Sequence, residues 1–76
     1  MRLSSRQIEY MQEALTVELT QMLMDNWGYS MQEALTVLYN SETFDRLSDP
    51  ATGLYFQSAG YVYEYLYNEL TTGKLE

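Results

Sequence analysis

A chain of 76 residues without a single cysteine or histidine has few ways to hold itself together. A domain of this size buries only about 60% of the surface that its unfolded chain exposes, and disulfides or a metal commonly supply the missing stability. Disulfides are excluded here, as are thiolate metal sites and cysteine nucleophiles. The absence of histidine removes the commonest metal ligand and the commonest general base near pH 7. Helix packing and self-association are what is left. The chain is therefore expected to be one domain, residues 1–76, without cofactor or metal, forming a homo-oligomer.

Residues 7 to 26 contain neither Gly nor Pro and are rich in Gln, Glu, Leu, Met and Ala, all good helix formers. Ser4 and Gln7 have capping-box spacing at the start. Trp27-Gly28 supplies a stop near Asn26, since glycine takes the positive φ of a helix end without steric cost. Ile8, Met11, Leu15, Leu19, Met22 and Leu23 fall on one stripe, which predicts a core-facing helix. Ser30-Met31-Gln32-Glu33 is a second capping box and opens a helix with Met31, Ala34, Leu35 and Leu38 on one face. A short third helix starts from Asn40 or Ser41, with Phe44 and Leu47 inward. Ser48 to Gly53 reads as the one loop, because Pro50 disfavours the helical conformation at Asp49.

Leu54 to Leu70 supports two periods. Tyr61 to Tyr67 alternates like a strand, but nothing else in the chain could pair with it, and a lone strand is not stable. At 3.6 residues per turn, Ala59, Val62, Tyr63, Leu66, Tyr67 and Leu70 gather on one arc, with Gln57, Ser58, Glu64, Asn68 and Glu69 on the other. A helix ending before Gly73 is expected, with Tyr55 and Phe56 as core residues where it begins. The fold class follows: all-α, a small bundle of three main helices plus one short helix. The heptapeptide Met11 to Val17 recurs as Met31 to Val37. A solenoid needs at least three copies at a fixed period, so this reads as two helices using similar residues, and no function follows from it.

Eleven acidic residues face four basic ones, for a net charge of −7. Duplex binding requires Lys and Arg on phosphates, and Arg2, Arg6, Arg46 and Lys74 are scattered. Neither nucleic acid nor an anionic membrane surface is expected as a partner; a basic protein is. Glu9 and Glu13 share a helix face and could hold a cation, but no third ligand converges, so they read as a solvated acidic face. The serines stand at helix starts, where capping accounts for them. No enzyme is expected. No apolar stretch follows Met1 to Ser5, and no segment approaches the roughly 20 apolar residues of a membrane span, so the expected location is cytoplasmic.

The informative feature is apolar surface on polar arcs. The first helix carries a second stripe, Tyr10, Ala14, Val17 and Met24, roughly opposite its core stripe. The last helix places Tyr61 and Tyr65 on its polar arc. So small a domain cannot easily bury both faces of a long helix, and interfaces favour Tyr and Met. The partner-binding residues expected from this are Tyr61, Glu64 and Tyr65, then Tyr10, Glu13 and Val17.

Ile8 with Tyr10, Gly28-Tyr29-Ser30 with Ala34 and Leu38, Phe44-Asp45 with Leu47, and Tyr61-Val62-Tyr63 with a closing helix together resemble a family of short bacterial domains of unknown function. Its members are often encoded beside a toxin-like, ADP-ribosyltransferase-related protein. The resemblance covers nearly the whole chain, although Thr52-Gly53-Leu54-Tyr55 departs from the family pattern. It implies a partner-binding role, antitoxin-like or adaptor, and carries over no catalytic residue. The alternative is a helix-turn-helix transcriptional regulator built on the first two helices. A recognition helix presents Arg, Lys, Asn or Gln to base edges, whereas this one offers Gln32, Glu33 and Thr36 with no basic residue.

Overall fold

A computed structural model describes residues 3–73; Arg2 and Lys74 lie outside the described residues. The chain is all-α. Its elements are α1 (Ser5–Trp27), α2 (Met31–Tyr39), α3 (Glu42–Ser48), two 3₁₀ turns (Pro50–Thr52 and Leu54–Phe56) and α4 (Ala59–Thr72). A serine fixes each helix start. Ser4 N–H donates to Gln7 Oε1 at 2.8 Å while Ser4 Oγ accepts from Gln7 N–H at 3.2 Å. Ser30 and Glu33 repeat the capping box at 2.8 and 3.1 Å. Ser41 and Ser58 accept from the Phe44 and Tyr61 N–H groups. Gly28, with φ of 71°, closes α1 and lets α2 begin three residues later.

The last helix starts later than the periodicity predicts. Gln57 is extended and Ser58 caps α4, so Leu54–Phe56 forms a separate 3₁₀ turn. Only Leu54 of that turn is buried; Tyr55 is half-buried, and Phe56 is 61% exposed with its ring stacked on Tyr55. The expectation that Phe56 joins the core is thereby corrected.

One core holds the helices. Leu15, Leu19 and Leu23 of α1 meet Ala34 and Leu38 of α2, Leu47 of α3, Leu54, and Val62 and Leu66 of α4. Each fully buried leucine contributes about 1.5–3 kcal/mol. α1 packs against α2, α4 and the second 3₁₀ turn, and α3 bridges α2 and α4. The α1 stripe is graded, with Ile8, Met11 and Met22 only half-buried. Two other core expectations are corrected. Met31 is 61% exposed, because it stands at the rim of a cleft between α1 and α2. Tyr67 is 49% exposed and tilts against Trp27, covering the indole from outside. Trp27 also stacks on Tyr29, and its Nε1–H donates to Tyr63 Oη at 3.0 Å, tying the end of α1 to α4.

Glu69 was expected on the solvent arc of α4; it is half-buried and caps another helix. Its carboxylate accepts from the Glu42 and Thr43 N–H groups at 2.7 and 3.0 Å and from Thr43 Oγ1–H at 2.8 Å. The first N–H groups of a helix lack intrahelical partners and favour negative charge. Glu69 thus supplements Ser41 at the start of α3 and joins α3 to α4, and Thr43 is fully buried beneath it. Among the described residues no buried side-chain polar atom lacks a partner.

Candidate functional site

The second apolar stripe of α1, roughly opposite the core stripe, stays mostly outside the core, with Tyr10, Ala14 and Val17 exposed. α2 packs along one flank of α1, so that Thr20 is buried and Met24 half-buried, while Val17 and Tyr10 remain 69% and 72% exposed. Beside this flank lies a cleft between α1 on one side and α2 and α3 on the other. It consists of two adjoining cavities of about 440 and 280 Å³ that share Thr16, Val17 and Tyr39 as wall. The first continues to Glu13, Phe44 and Leu47; the second to Met24, Met31 and Leu35. Tyr39, about half exposed, stands between them with Phe44 packed edge-on against its ring at 4.9 Å.

The cleft is apolar by construction of its helices. Thr16 and Thr20 donate their hydroxyls to Gln12 and Thr16 carbonyls of their own helix, at 2.8 and 2.7 Å. The Gln12 amide is held by the Leu47 carbonyl at 2.9 Å. These groups therefore make no demand on an occupant. Glu13, at one end, is the single charged residue among those lining the two cavities.

The α4 residues form a different surface. The Tyr61 and Tyr65 rings meet edge-on with centroids 5.4 Å apart, and their hydroxyls lie 3.2 Å apart. Tyr61 is exposed, whereas Tyr65 is half-buried and packs against the core. With Glu64 and Asn68 they border a shallow depression of about 190 Å³. The hydrogen bond with Tyr65, and then the charge Tyr65 would carry, hold the Tyr61 phenol above its ordinary pKa of 10.0; slight burial and Glu64 act the same way.

The expected contact residues therefore fall on two surfaces with no lining residue in common. Glu13 and Val17 wall the cleft; Tyr10 lies on the same α1 flank but lines neither cavity; Tyr61, Glu64 and Tyr65 belong to α4. Sequence reasoning missed Tyr39 altogether and assigned Met31, Leu35 and Phe44 to the core. A signal existed for Tyr39, an aromatic residue standing just outside the apolar arc of α2. Glu9 and Glu13 are both exposed, and among the described residues no group of three or more acidic side chains could hold a metal ion. No described helix is long and apolar enough to cross a membrane.

Comparison with protein-family models, curated proteins and solved structures finds no match to this chain.

Proposed function

We propose that this chain is a small acidic protein-binding domain, a helical bundle that works by covering a site on another protein. The observation that carries the reading is the cleft. Scattered exposed apolar residues are normal in any monomer. Here Val17, Met31 and Tyr39, from two helices, border two adjoining apolar cavities together with Phe44 of a third. An apolar recess can seat a partner's apolar side chains, and Met and aromatic residues are those that interfaces favour. Apolar anchors of the partner enter the recess, and Glu13 at its end meets basic charge. Tyr61, Glu64 and Tyr65 offer a second contact surface, on which a homodimer can form. The antitoxin-like or adaptor role rests on the family resemblance and its cytoplasmic setting on the cysteine-free sequence, and no enzymatic step enters it.

The helix-turn-helix alternative gains the short turn at residues 28–30 between α1 and α2. Against it, α2 turns Gln32, Glu33 and Thr36 to solvent, a surface with one acid and no Arg or Lys to meet phosphates.

The test is capture from an extract of the native host by immobilised wild type, by V17Q/M31Q and by Y61S/Y65S. Gln keeps the helix propensity of the cleft positions. The reading expects proteins held by wild type to be lost from V17Q/M31Q while its thermal melt stays unchanged. Identical capture by wild type and V17Q/M31Q would refute it.

A further inference from the structure

We infer that the occupant of the cleft is a cationic amphipathic helix supplied by the partner. This rests on the protein-binding reading above and adds the shape and charge of what binds. Shape follows from the hydrogen-bond inventory. Much of the polar wall is already engaged, since Gln12 Nε2 and the Thr16 and Thr20 hydroxyls are committed within the chain, which leaves the Tyr39 and Ser48 hydroxyls and Glu13 among the polar groups of the lining. An extended peptide laid there would turn N–H and C=O groups toward a wall with few partners for them, at a cost of about 1–3 kcal/mol for each one left buried and unpaired. A helix satisfies its backbone internally and needs only an apolar seat.

The dimensions agree. The wall runs along α1 from Glu13 to Met24, which at 1.5 Å per residue is about 17 Å, or three helical turns. Two adjoining cavities separated by Tyr39 suit two apolar anchors one to two turns apart on an incoming helix.

Charge decides between occupants. Glu13 lies in the wall, Glu9 precedes it by one turn on α1, and Asp45 adjoins Phe44 on α3; all three are exposed, and no Arg or Lys lines either cavity. A second copy would bring another chain of net charge −7 against this acidic rim, which like-charge repulsion opposes. A helix bearing Lys or Arg beside its apolar stripe meets attraction instead.

Two synthetic peptides of about 14 residues test this, sharing Leu at i, i+4, i+7 and i+11 and carrying either Lys or Glu at the flanking positions. Binding is followed by amide chemical shifts of the protein and by peptide circular dichroism. The Lys peptide is expected to become helical on binding and to shift Val17, Met31, Leu35 and Tyr39. Its affinity should exceed that of the Glu peptide by about tenfold or more at low salt, and the E13K variant should erode that margin.

Equal binding of the two peptides, no binding of either, or Lys-peptide binding that survives V17Q/M31Q would overturn the inference. So would a dimer in sedimentation equilibrium that V17Q/M31Q dissociates, since the cleft would then be filled by a second copy. If host-protein capture depends on Val17 and Met31 but the Lys peptide does not bind, this inference fails while the protein-binding reading stands. If capture ignores those residues, the reading itself fails.

Discussion

Two glutamates show how differently the two sides of this molecule are finished. Glu69 lies where α3 meets α4, and its carboxylate takes three hydrogen bonds from the start of α3. Glu13 lies where α1 faces α2 and α3, exposed at the end of an apolar cleft. The first junction is closed by directional bonds that leave no polar group wanting. The second is left open by side chains that make no specific demand and that water solvates poorly. The closed side adds directional bonds to the stability of the shared core, whereas the rim of the open side is free to serve contact. Substitutions at the two should therefore behave in opposite ways.

The largest effect is expected at the closed side. Glu69→Ala strips partners from the buried Thr43 hydroxyl and from two N–H groups of α3, and should cost about 1–3 kcal/mol. Urea unfolding measures this, and amide exchange at Thr43 should accelerate; an unchanged midpoint would show that Ser41 alone secures α3. At the open side, V17Q/M31Q should change stability by no more than about 0.5 kcal/mol, because both residues are already mostly exposed. A larger loss in the same urea experiment would make them core residues and erase the contrast.

The smallest effect concerns α4. Because the Tyr61 phenol pKa is raised above 10.0 by its bond with Tyr65, the folded state favours the protonated form. That contribution is complete below the ordinary value and disappears as pH rises through the elevated one. Tyr65→Phe should move the Tyr61 titration back toward 10.0 in ultraviolet difference spectra; a curve unchanged by the substitution would show that the two hydroxyls are not coupled.

Features that act within a few residues were legible in the sequence. Both capping boxes, the stop at Gly28 and the Leu15-Leu19-Leu23 stripe follow from spacing alone, and each is present. The repeated heptapeptide marks the limit of such reading. Leu15 is buried in the first copy, whereas the equivalent Leu35 is half-buried; Ala14 is exposed, whereas Ala34 is fully buried; Met11 is half-buried, whereas Met31 projects into solvent. Identical residues turn different faces inward because burial depends on which helix lies alongside. Glu69 was unreadable for the same reason, its partners lying 26 and 27 residues away. The cleft was half visible: periodicity showed that α1 and α2 carry extra apolar side chains, but not that a neighbour would stop short of covering them.

Trp27 is the only tryptophan in the chain, and its indole is bound to Tyr63 and flanked by Tyr29 and Tyr67. It lines neither cavity of the cleft. Tryptophan emission, excited beyond the tyrosine band, therefore reports on the docking of α1 onto α4 and is blind to direct occupation of the recess. A ligand that seats there without altering the helix arrangement will leave the emission spectrum where it was. One that shifts it has loosened the far end of the first helix.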